Sequence, residues 1–372
     1  MSARKPSTSS VTTVVQVTRN FQSEAPLHVH AREVLLDAID QGWSDPGKLS
    51  QSAARARILQ GEALESISSH LKVPVDCLEV IGEGNLANHY AISGLLKNEF
   101  GFIHSAIDRK DVHAIARTQS HTTQLNVDLN GHIISTDQAT EREIVLALQG
   151  GNIETGVIQP LADIARRFPH ASIALDFTSC GPRLPLPELW ASASFDATSW
   201  QGPSGIAFFA VGKQARWTNP LPHVDNTRAP RSYSLPLLLA SSVALDAWIQ
   251  EEISESSRLR LLSARVRKTI ADSVSDCDIA GDLDSSMSHK TSISFLYVHG
   301  EELLRCLETK GFSVDSGSAC TSANLQPSHV LAAMGVLTHG NIRITLHHGV
   351  SSEDVEALTQ AIIESVAELR SQ

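Results

Sequence analysis

One cysteine stands in a run of small and hydroxylated residues near the end of the sequence. Cys320 is preceded by Ser316-Gly317-Ser318-Ala319 and followed by Thr321-Ser322-Ala323. Small neighbours leave a sulfur atom accessible, and hydroxyl and backbone N–H groups stabilise a thiolate, which is the nucleophilic form of cysteine. The pattern therefore predicts a reactive thiol on a loop. The alternative interpretation is an inert cysteine in a turn.

Composition places this thiol in a large acidic protein of the soluble globular class. The chain has 372 residues, 42% of them hydrophobic, and a formal net charge of −11. This length exceeds the usual limit of a single core, so we expect two lobes. The sequence has no Lys/Arg-rich block, which argues against a nucleic acid as partner. It also has no run of about 20 apolar residues that would span a membrane.

The cysteines indicate a compartment and argue against a metal. They stand at positions 77, 180, 277, 306 and 320, without paired spacing. Free thiols of this kind are typical of a reducing cytosol, and the N-terminus does not resemble a secretory signal. No C-x-x-C or H-x-x-x-H cluster occurs. We therefore expect a cytoplasmic protein without a metal site.

Helical and strand-like segments alternate along the chain, which predicts an α/β fold with a mainly parallel sheet. Apolar runs at residues 103–107 and 173–177 are typical of buried strands. Residues 219–236 contain four prolines and predict a long connection. Helical patterns cover residues 32–39, 52–71, 160–168 and 243–267. Further on, strands at 292–298 and 342–346 alternate with helices at 301–310 and 353–369, which predicts a small α+β lobe.

These elements suggest a division of the chain into domains. Residues 1–12 are expected to be a disordered tail, and residues 13–34 a segment that packs with the small lobe. Residues 35–255 are expected to form the large domain. Residues 256–372 would then be the small C-terminal domain that carries the Cys320 loop.

Several motifs together resemble one known family. The stretch 316–323, followed by Pro327-Ser328-His329-Val330-Leu331 and by Ile342-Arg343-Ile344, resembles the persulfide-forming loop of the cysteine desulfurases. These are pyridoxal-phosphate enzymes of the class V aminotransferase fold. The resemblance extends through most of the chain in order. It implies fold type I of these enzymes, with a seven-stranded, mainly parallel sheet in the large domain.

The resemblance implies roles for the residues that would do the chemistry. Cys320 matches the cysteine that attacks the substrate thiol and holds the persulfide. Arg343 matches the arginine that pairs with the substrate carboxylate, a task that suits a bidentate guanidinium. Asp176 matches the aspartate that keeps the pyridinium nitrogen protonated. The alternatives are a surface arginine at a strand end and an ordinary strand-end aspartate.

Other positions match the groups around the cofactor. Gln159, together with Glu154, fits the segment that lines the ring. Gly84 and Asn85 belong to the stretch 82–86, which stands where the family has its phosphate cradle; two glycines before a helix can present N–H groups to an anion. Ser234 matches a threonine that contacts the phosphate of a partner subunit, so the resemblance also implies a homodimer.

The sequence departs from the family at the centre of this site. The lysine of the Ser-Gly-His-Lys motif, which forms the Schiff base, is missing, because residues 195–201 run directly into Gly202-Pro203-Ser204-Gly205. The next lysine, Lys213, follows a strand that spans about 20 Å. Arg109 stands where the family has a histidine, and a guanidinium cannot shuttle protons near neutral pH. Glu83 would repel a phosphate at the cradle.

These observations predict a cysteine desulfurase-like protein that handles sulfur through a persulfide on Cys320, with impaired or absent covalent pyridoxal-phosphate chemistry. The cofactor, if it binds, is expected to bind non-covalently. Cysteine and a sulfur-acceptor protein are the expected partners. One alternative is an active desulfurase that converts L-cysteine to L-alanine and supplies sulfur for iron–sulfur cluster or thio-cofactor assembly. A second alternative is a scaffold or small-molecule binder without catalysis on the same fold.

Overall fold

A computed structural model describes residues 19–23, 26–42, 44–134, 142–223, 227–230, 232–317 and 327–371. The strands within these ranges, numbered along the chain, are β1 Asn20–Phe21, β2 Leu78–Ile81, β3 Gly101–Ser105, β4 Thr122–Leu125, β5 Ile144–Gln149, β6 Ser172–Asp176, β7 Ser192–Asp196, β8 Ala207–Val211, β9 Cys277–Ile279, β10 Lys290–Phe295, β11 Ser313–Val314 and β12 Ile342–Thr345. The α-helices are α1 Val29–Asp40, α2 Gln51–Leu71, α3 Gly84–Ser93, α4 Lys110–Ala116, α5 Leu161–Arg167, α6 Leu235–Ser273, α7 Gly300–Thr309, α8 His329–Met334 and α9 Ser352–Arg370.

The large unit is built on a seven-stranded sheet with the order β2-β8-β7-β6-β5-β3-β4. Strands β4, β3, β5, β6 and β7 pair in parallel, and β8 is antiparallel to both of its neighbours. Helices cover both faces of such a sheet, so its strands consist of nearly continuous apolar residues. All five residues of β8 are buried. The predicted α/β fold with a mainly parallel sheet is therefore confirmed.

Strand β8 decides where Lys213 lies. In the antiparallel pair of β7 and β8, Ala207 stands opposite Asp196 and Val211 stands opposite Ser192. The chain thus returns along β8 to the edge where β7 begins. There Lys213 forms an ion pair of 3.0 Å with Asp76. Lys213 therefore lies beyond the Val211 end of β8, which is the end away from Asp196.

A smaller unit contains a separate sheet and core. Strands β12, β10 and β9 form an antiparallel sheet, and β1 pairs in parallel with β11. Helix α6 belongs to both units: Leu245 and Trp248 pack in the core of the large sheet, while Leu259 and Ile270 pack in the core of the small one. The predicted domain boundaries remain a prediction, and the predicted tail lies outside the described residues.

The helix predicted at 243–267 is longer in the structure, where it covers Leu235–Ser273. Two predicted boundaries differ from the structure at a proline. Helix α6 begins at Leu235 and has Pro236 in its first turn, so the predicted 219–236 connection is too long at its end. Proline has no N–H to lose there and is already close to the helical φ angle. Pro160 precedes α5 as its cap instead of occupying the first turn. None of the described helices is long and apolar enough to cross a membrane.

Candidate functional site

Four parallel strands end at one edge of the central sheet, and polar residues stand at these ends. Gln149, Asp176 and Asp196 are the last residues of β5, β6 and β7, and Arg109 follows β3. Because these strands run in parallel, their carboxyl ends border one crevice. This is the usual ligand position in an open α/β sheet.

A threonine connects Asp176 with Arg109 at this edge. Thr178 donates its backbone N–H and its hydroxyl to Oδ1 of Asp176, at 2.9 and 2.5 Å. Arg109 donates from Nη1 to Thr178 Oγ1 at 2.9 Å and from Nη2 to Oδ1 of Asn85. Burial raises the pKa of the Asp176 carboxyl, and the charge of Arg109 opposes this rise. The structure thus places three of the predicted site residues, Asp176, Arg109 and Asn85, in one network.

A second buried carboxyl group, which the sequence reasoning missed, belongs to the same edge. Asp108 accepts a hydrogen bond from Ser105 N at 2.6 Å on Oδ2 and one from Gln149 Nε2 at 3.2 Å on Oδ1. Burial raises its pKa well above the ordinary value, and the nearby Asp176 adds to this effect. Two carboxyl groups with raised pKa therefore lie close to the network that contains Arg109.

The N-terminus of α3 is where the resemblance places a phosphate. Helix N-termini bind anions because their first N–H groups are free. Here, however, the side chain of Asp196 packs against Gly84: a Cβ atom added to Gly84 would overlap Oδ2 of Asp196 and lie 3.1 Å from its Cγ. Glu83, the exposed residue before the helix, adds a second carboxylate. Both would repel a dianionic phosphate, so the described residues do not fit pyridoxal phosphate in this position.

The contact between Gly84 and Asp196 gives a stability prediction. We expect Gly84→Ala to lower the free energy of unfolding by about 1–3 kcal/mol, because the new methyl group must displace the Asp196 side chain. Gly61→Ala is the matched control, since Gly61 lies inside α2 with nothing within 4 Å of an added Cβ; it should stabilise the protein by about 0.5–1 kcal/mol. Urea unfolding of both variants measures the difference. Equal effects would contradict the described packing.

A single turn of 3₁₀ helix follows β7. Residues Ala197–Trp200 form the turn, and Asp196 caps it by accepting Thr198 N–H at 2.9 Å. The turn contains no lysine. Its Thr198 and Ser199 contribute to the wall of a cavity of about 90 Å³. This segment therefore supplies hydroxyl groups where the resemblance implies an amine.

Lys290 lines the same cavity from the small unit, and the sequence reasoning missed it. It is the first residue of β10 and is 7% exposed. Burial lowers the pKa of its amine to about 8, and the positive charge of Arg343 contributes to this shift. The one signal in the sequence is a lysine at the start of an apolar strand. All six residues of that strand are buried.

Arg343 lies beside both ends of the segment that contains the thiol loop. Its Nη2 donates to the carbonyl oxygen of Ser316 at 3.0 Å, and its Nη1 is 3.9 Å from Oε2 of Glu154. The same Glu154 oxygen accepts a hydrogen bond of 2.6 Å from the hydroxyl of Ser328. Ser316 precedes the loop and Ser328 follows it. Arg343 and Glu154 therefore hold the two flanks of the loop close together.

The remaining predicted residues lie elsewhere. Cys320 is outside the described residues. Gln159 uses both ends of its amide on the main chain, accepting from Ile133 N at 3.0 Å and donating to Gly131 O at 2.7 Å; the structure groups it with that loop and not with the Asp176 network. Ser234 is half-buried before α6, and its side chain makes no cap hydrogen bond there. In the part of the chain that is described, no group of three or more His, Cys, Asp or Glu is arranged to hold a metal ion.

Comparisons with known proteins agree with this architecture. The family model described as aminotransferase class V matches residues 239–358. Among solved structures, a NifS-like protein superposes with a TM-score of 0.83 at 19% identity and covers 94% of this chain and 99% of its own. A NifS-like protein from Rickettsia africae ESF-5 gives a TM-score of 0.76 at 16% identity, with 93% and 98% covered. At these identities the structures show the fold alone.

Sequence relatives identify the family. The cysteine desulfurase IscS of Dictyoglomus turgidum is 25% identical in an alignment of length 377 that covers 95% of each chain. The cysteine desulfurase IscS of Anaeromyxobacter sp. strain Fw109-5 is 30% identical in an alignment of length 275 that covers 70% of this chain and 67% of the relative. The chain therefore belongs to the cysteine desulfurase family.

Proposed function

We propose that this protein accepts sulfur on Cys320 as a persulfide and does so without covalently bound pyridoxal phosphate. The observation that carries the proposal is a difference between the two halves of the site. The flanks of the thiol loop are held by Arg343 and Glu154. The start of α3, by contrast, is faced by the carboxylates of Asp196 and Glu83. The family is one of pyridoxal-phosphate enzymes, and this chain lacks the lysine that they use.

A positive charge at the flank of the loop supports the proposal of a thiolate. Cys320 follows Gly317 by three residues, and three extended residues span at most about 11 Å. Gly317 itself is fixed by a hydrogen bond of 3.2 Å from its N–H to Oδ1 of Asn341. The guanidinium of Arg343 bonds to the carbonyl of the residue before it, Ser316. A nearby guanidinium lowers the pKa of a cysteine and so increases its thiolate fraction.

The other cysteines are poor competitors for sulfur. Cys77 and Cys180 are 2% and 0% exposed. Burial raises the pKa of both thiols, and it also raises the pKa of Cys277. Cys306 is half-buried in α7. A buried thiol with a raised pKa reacts slowly because little of it is thiolate.

The transfer of sulfur to Cys320 needs no cofactor, because its atoms and electrons balance when the donor is a persulfide. The Cys320 thiolate attacks the outer sulfur of a donor persulfide, R–S–SH. A new S–S bond forms, the S–S bond of the donor breaks, and the donor leaves as the thiolate R–S⁻. The outer sulfur keeps its proton, and no net oxidation or reduction occurs. The donor is thus a protein or small-molecule persulfide. In a second transfer of the same kind, the thiol of an acceptor attacks the persulfide on Cys320 and takes its outer sulfur.

We propose the partners of this protein from those of its family. Its members bind cysteine, and they work as homodimers with sulfur-acceptor proteins. Ser234, at the start of α6, is the residue that we propose to lie at the dimer contact. The Asp176 network and Arg343 remain the proposed positions for contacts to a bound small molecule such as cysteine.

Persulfide mapping tests the proposal. The protein is incubated with glutathione persulfide, alkylated, and analysed by peptide mass spectrometry. We expect Cys320 to carry at least about tenfold more persulfide than any other cysteine, since thiolate fraction and accessibility control the attack.

Two serine variants serve as controls for this experiment. Cys320→Ser should abolish the signal, and the matched variant Cys306→Ser should leave it unchanged. Persulfide on Cys77 or Cys306 at the level of Cys320 would contradict the proposal. Formation of alanine from cysteine by the purified protein would favour the active desulfurase instead.

A further inference from the structure

The stem of Lys290 is fixed where the two units meet. Gly156, in a turn of the large unit with φ +80°, packs so closely that an added Cβ would lie 2.9 Å from Lys290 Cβ. Met287 N donates to Gly156 O at 2.8 Å, which holds the turn against the segment before β10. The cavity wall includes Lys290 and the hydroxyl residues Thr178 and Ser199. The amine is therefore directed by packing and not by a polar partner.

The amine of Lys290 makes no hydrogen bond or ion pair with any described residue. Nearby charges act on it only at longer range; they belong to Arg343, Asp315, Arg183 and Arg109. Two of the three glutamates in the wall, Glu251 and Glu255, pair with other residues: Glu251 lies 2.7 Å from His348 Nε2, and Glu255 pairs with Arg258 at 2.6 Å. A buried lysine without a counter-ion in direct contact destabilises a fold. Its presence in this wall therefore calls for a ligand or a reaction.

Three uncharged polar side chains in the cavity wall also carry an atom without a partner. Gln201 Oε1, His289 Nδ1 and His347 Nε2 are buried and make no hydrogen bond to any described residue. The residues that carry them are 7%, 6% and 7% exposed. Buried polar atoms are almost always hydrogen-bonded in folded proteins. The residues that carry these atoms line the cavity together with Lys290, and such a polar wall suits a small polar ligand.

The size of the cavity restricts that ligand. About 90 Å³ is the space of about three water molecules. Sites for drug-sized molecules are larger, at about 300–1,000 Å³. A compound of two or three carbon atoms fits this space.

The protonation of Lys290 suits nucleophilic chemistry. Burial lowers the pKa of its amine to about 8, whereas an ordinary lysine has a pKa of about 10.4. Near neutral pH the neutral fraction of Lys290 is therefore about a hundredfold larger than that of an exposed lysine. A neutral amine attacks carbonyl carbon, and desolvated lysines perform this role in enzymes.

We propose that this cavity binds a small carbonyl compound, an aldehyde or a 2-oxo acid, and that Lys290 captures it as an imine. The lone pair of the amine nitrogen attacks the carbonyl carbon and a C=N bond forms. The carbonyl oxygen leaves as water together with the two amine protons. No oxidant or reductant takes part. This activity goes beyond sulfur transfer on Cys320 and does not depend on it.

Reductive trapping tests the proposal on the full-length protein. Glyoxylate, a 2-oxo acid, is added with cyanoborohydride near neutral pH, and glycolaldehyde, a neutral aldehyde, is used in a parallel sample. We expect one adduct on Lys290, a carboxymethyl group in the case of glyoxylate, formed at least about tenfold faster than on Lys213 or Lys268. Peptide mass spectrometry locates it. Selective trapping of both compounds identifies an aldehyde site, and selective trapping of glyoxylate alone identifies a 2-oxo acid site.

Variants separate chemistry from folding. Lys290→Met should lose the adduct and should unfold at a higher urea concentration than the natural chain, because it removes an uncompensated buried amine. Lys213→Met is the matched control and should keep the Lys290 adduct. Labelling of Lys213 and Lys268 as fast as Lys290 would overturn the proposal.

Pyridoxal phosphate provides the last comparison. It should label Lys290 no faster than it labels Lys213. Preferential labelling of Lys290 by pyridoxal phosphate would overturn the small-ligand proposal and also the proposal that the protein works without a covalent cofactor. Failure of glyoxylate trapping alone would leave sulfur transfer on Cys320 standing, because that step uses no amine.

Discussion

Replacing Asp196 with serine will strengthen the binding of pyridoxal phosphate by about ten- to a hundredfold. Two unit charges 4 Å apart repel by about 4 kcal/mol at an effective dielectric constant of 20. Asp196 is half-buried, so we expect about 1.4–2.7 kcal/mol of this to remain, and each 1.4 kcal/mol is a factor of ten. Serine still accepts the N–H of Thr198 and caps the 197–200 turn. The variant thus removes a charge and keeps the fold.

Spectroscopic titration with pyridoxal phosphate at fixed ionic strength measures this effect. Glu188→Ser is the matched control, since it removes one negative charge from an exposed position beside a different pocket, which also contains Lys213. A general effect of net charge would appear equally in both variants and would contradict the role given to Asp196. Tight binding by the unchanged protein, with a lysine adduct after borohydride treatment, would favour the active desulfurase.

The fold could be predicted because its strands follow simple physical rules. A sheet covered on both faces needs apolar side chains on both, and residues 103–107 and 173–177 show this clearly. The boundaries were less certain where one residue type has two uses. Pro236 was interpreted as part of a connection, but a proline in the first turn of a helix is equally well accommodated, and α6 begins at Leu235.

The site was predictable only where it depends on local chain geometry. A carboxylate at the end of a parallel strand lies at the ligand edge of the sheet, and Asp176 does so. The contact of Asp196 with Gly84 depends instead on how α3 packs beside β7. The two residues are far apart in the sequence, so the sequence does not reveal this contact. The hydrogen bonds of Gln159 are hidden in the sequence for the same reason, because its partners lie in the distant 131–133 loop. Lys290 was missed because a lysine at the start of a strand usually points to solvent.

Burial shifts the pKa values of several polar groups in the crevice and in the cavity that contains Lys290. Asp108 and Asp176 hold protons more readily than ordinary carboxyl groups, whereas Lys290 and His347 release them more readily. Burial is the first cause in all four cases. Neutral forms are thus favoured throughout the crevice and the cavity. Such an environment suits reactions that need neutral nucleophiles, and it makes stability sensitive to acid.

Acid will therefore destabilise the protein through His347. Burial lowers its pKa to about 4, and the charge of Lys290 contributes, whereas an unfolded histidine has a pKa of about 6.5. Below pH 6.5 the unfolded chain takes up a proton that the folded chain refuses, so stability falls as pH decreases. The contribution is complete above about pH 6.5 and is lost as pH falls towards about 4. At pH 5 the loss is about 2 kcal/mol.

Urea unfolding near pH 7 and near pH 5 measures this effect. We expect the difference between the two conditions to be about 2 kcal/mol smaller in His347→Gln than in the natural chain, because glutamine does not titrate. Asp108 and Asp176 act in the opposite direction, since their raised pKa values favour the folded state as pH falls, but they are the same in both proteins and cancel in the comparison. His170→Gln, at an exposed position, is the matched control. If it reduced the pH dependence as much as His347→Gln, the acid sensitivity would arise from the surface and not from the cavity that contains Lys290.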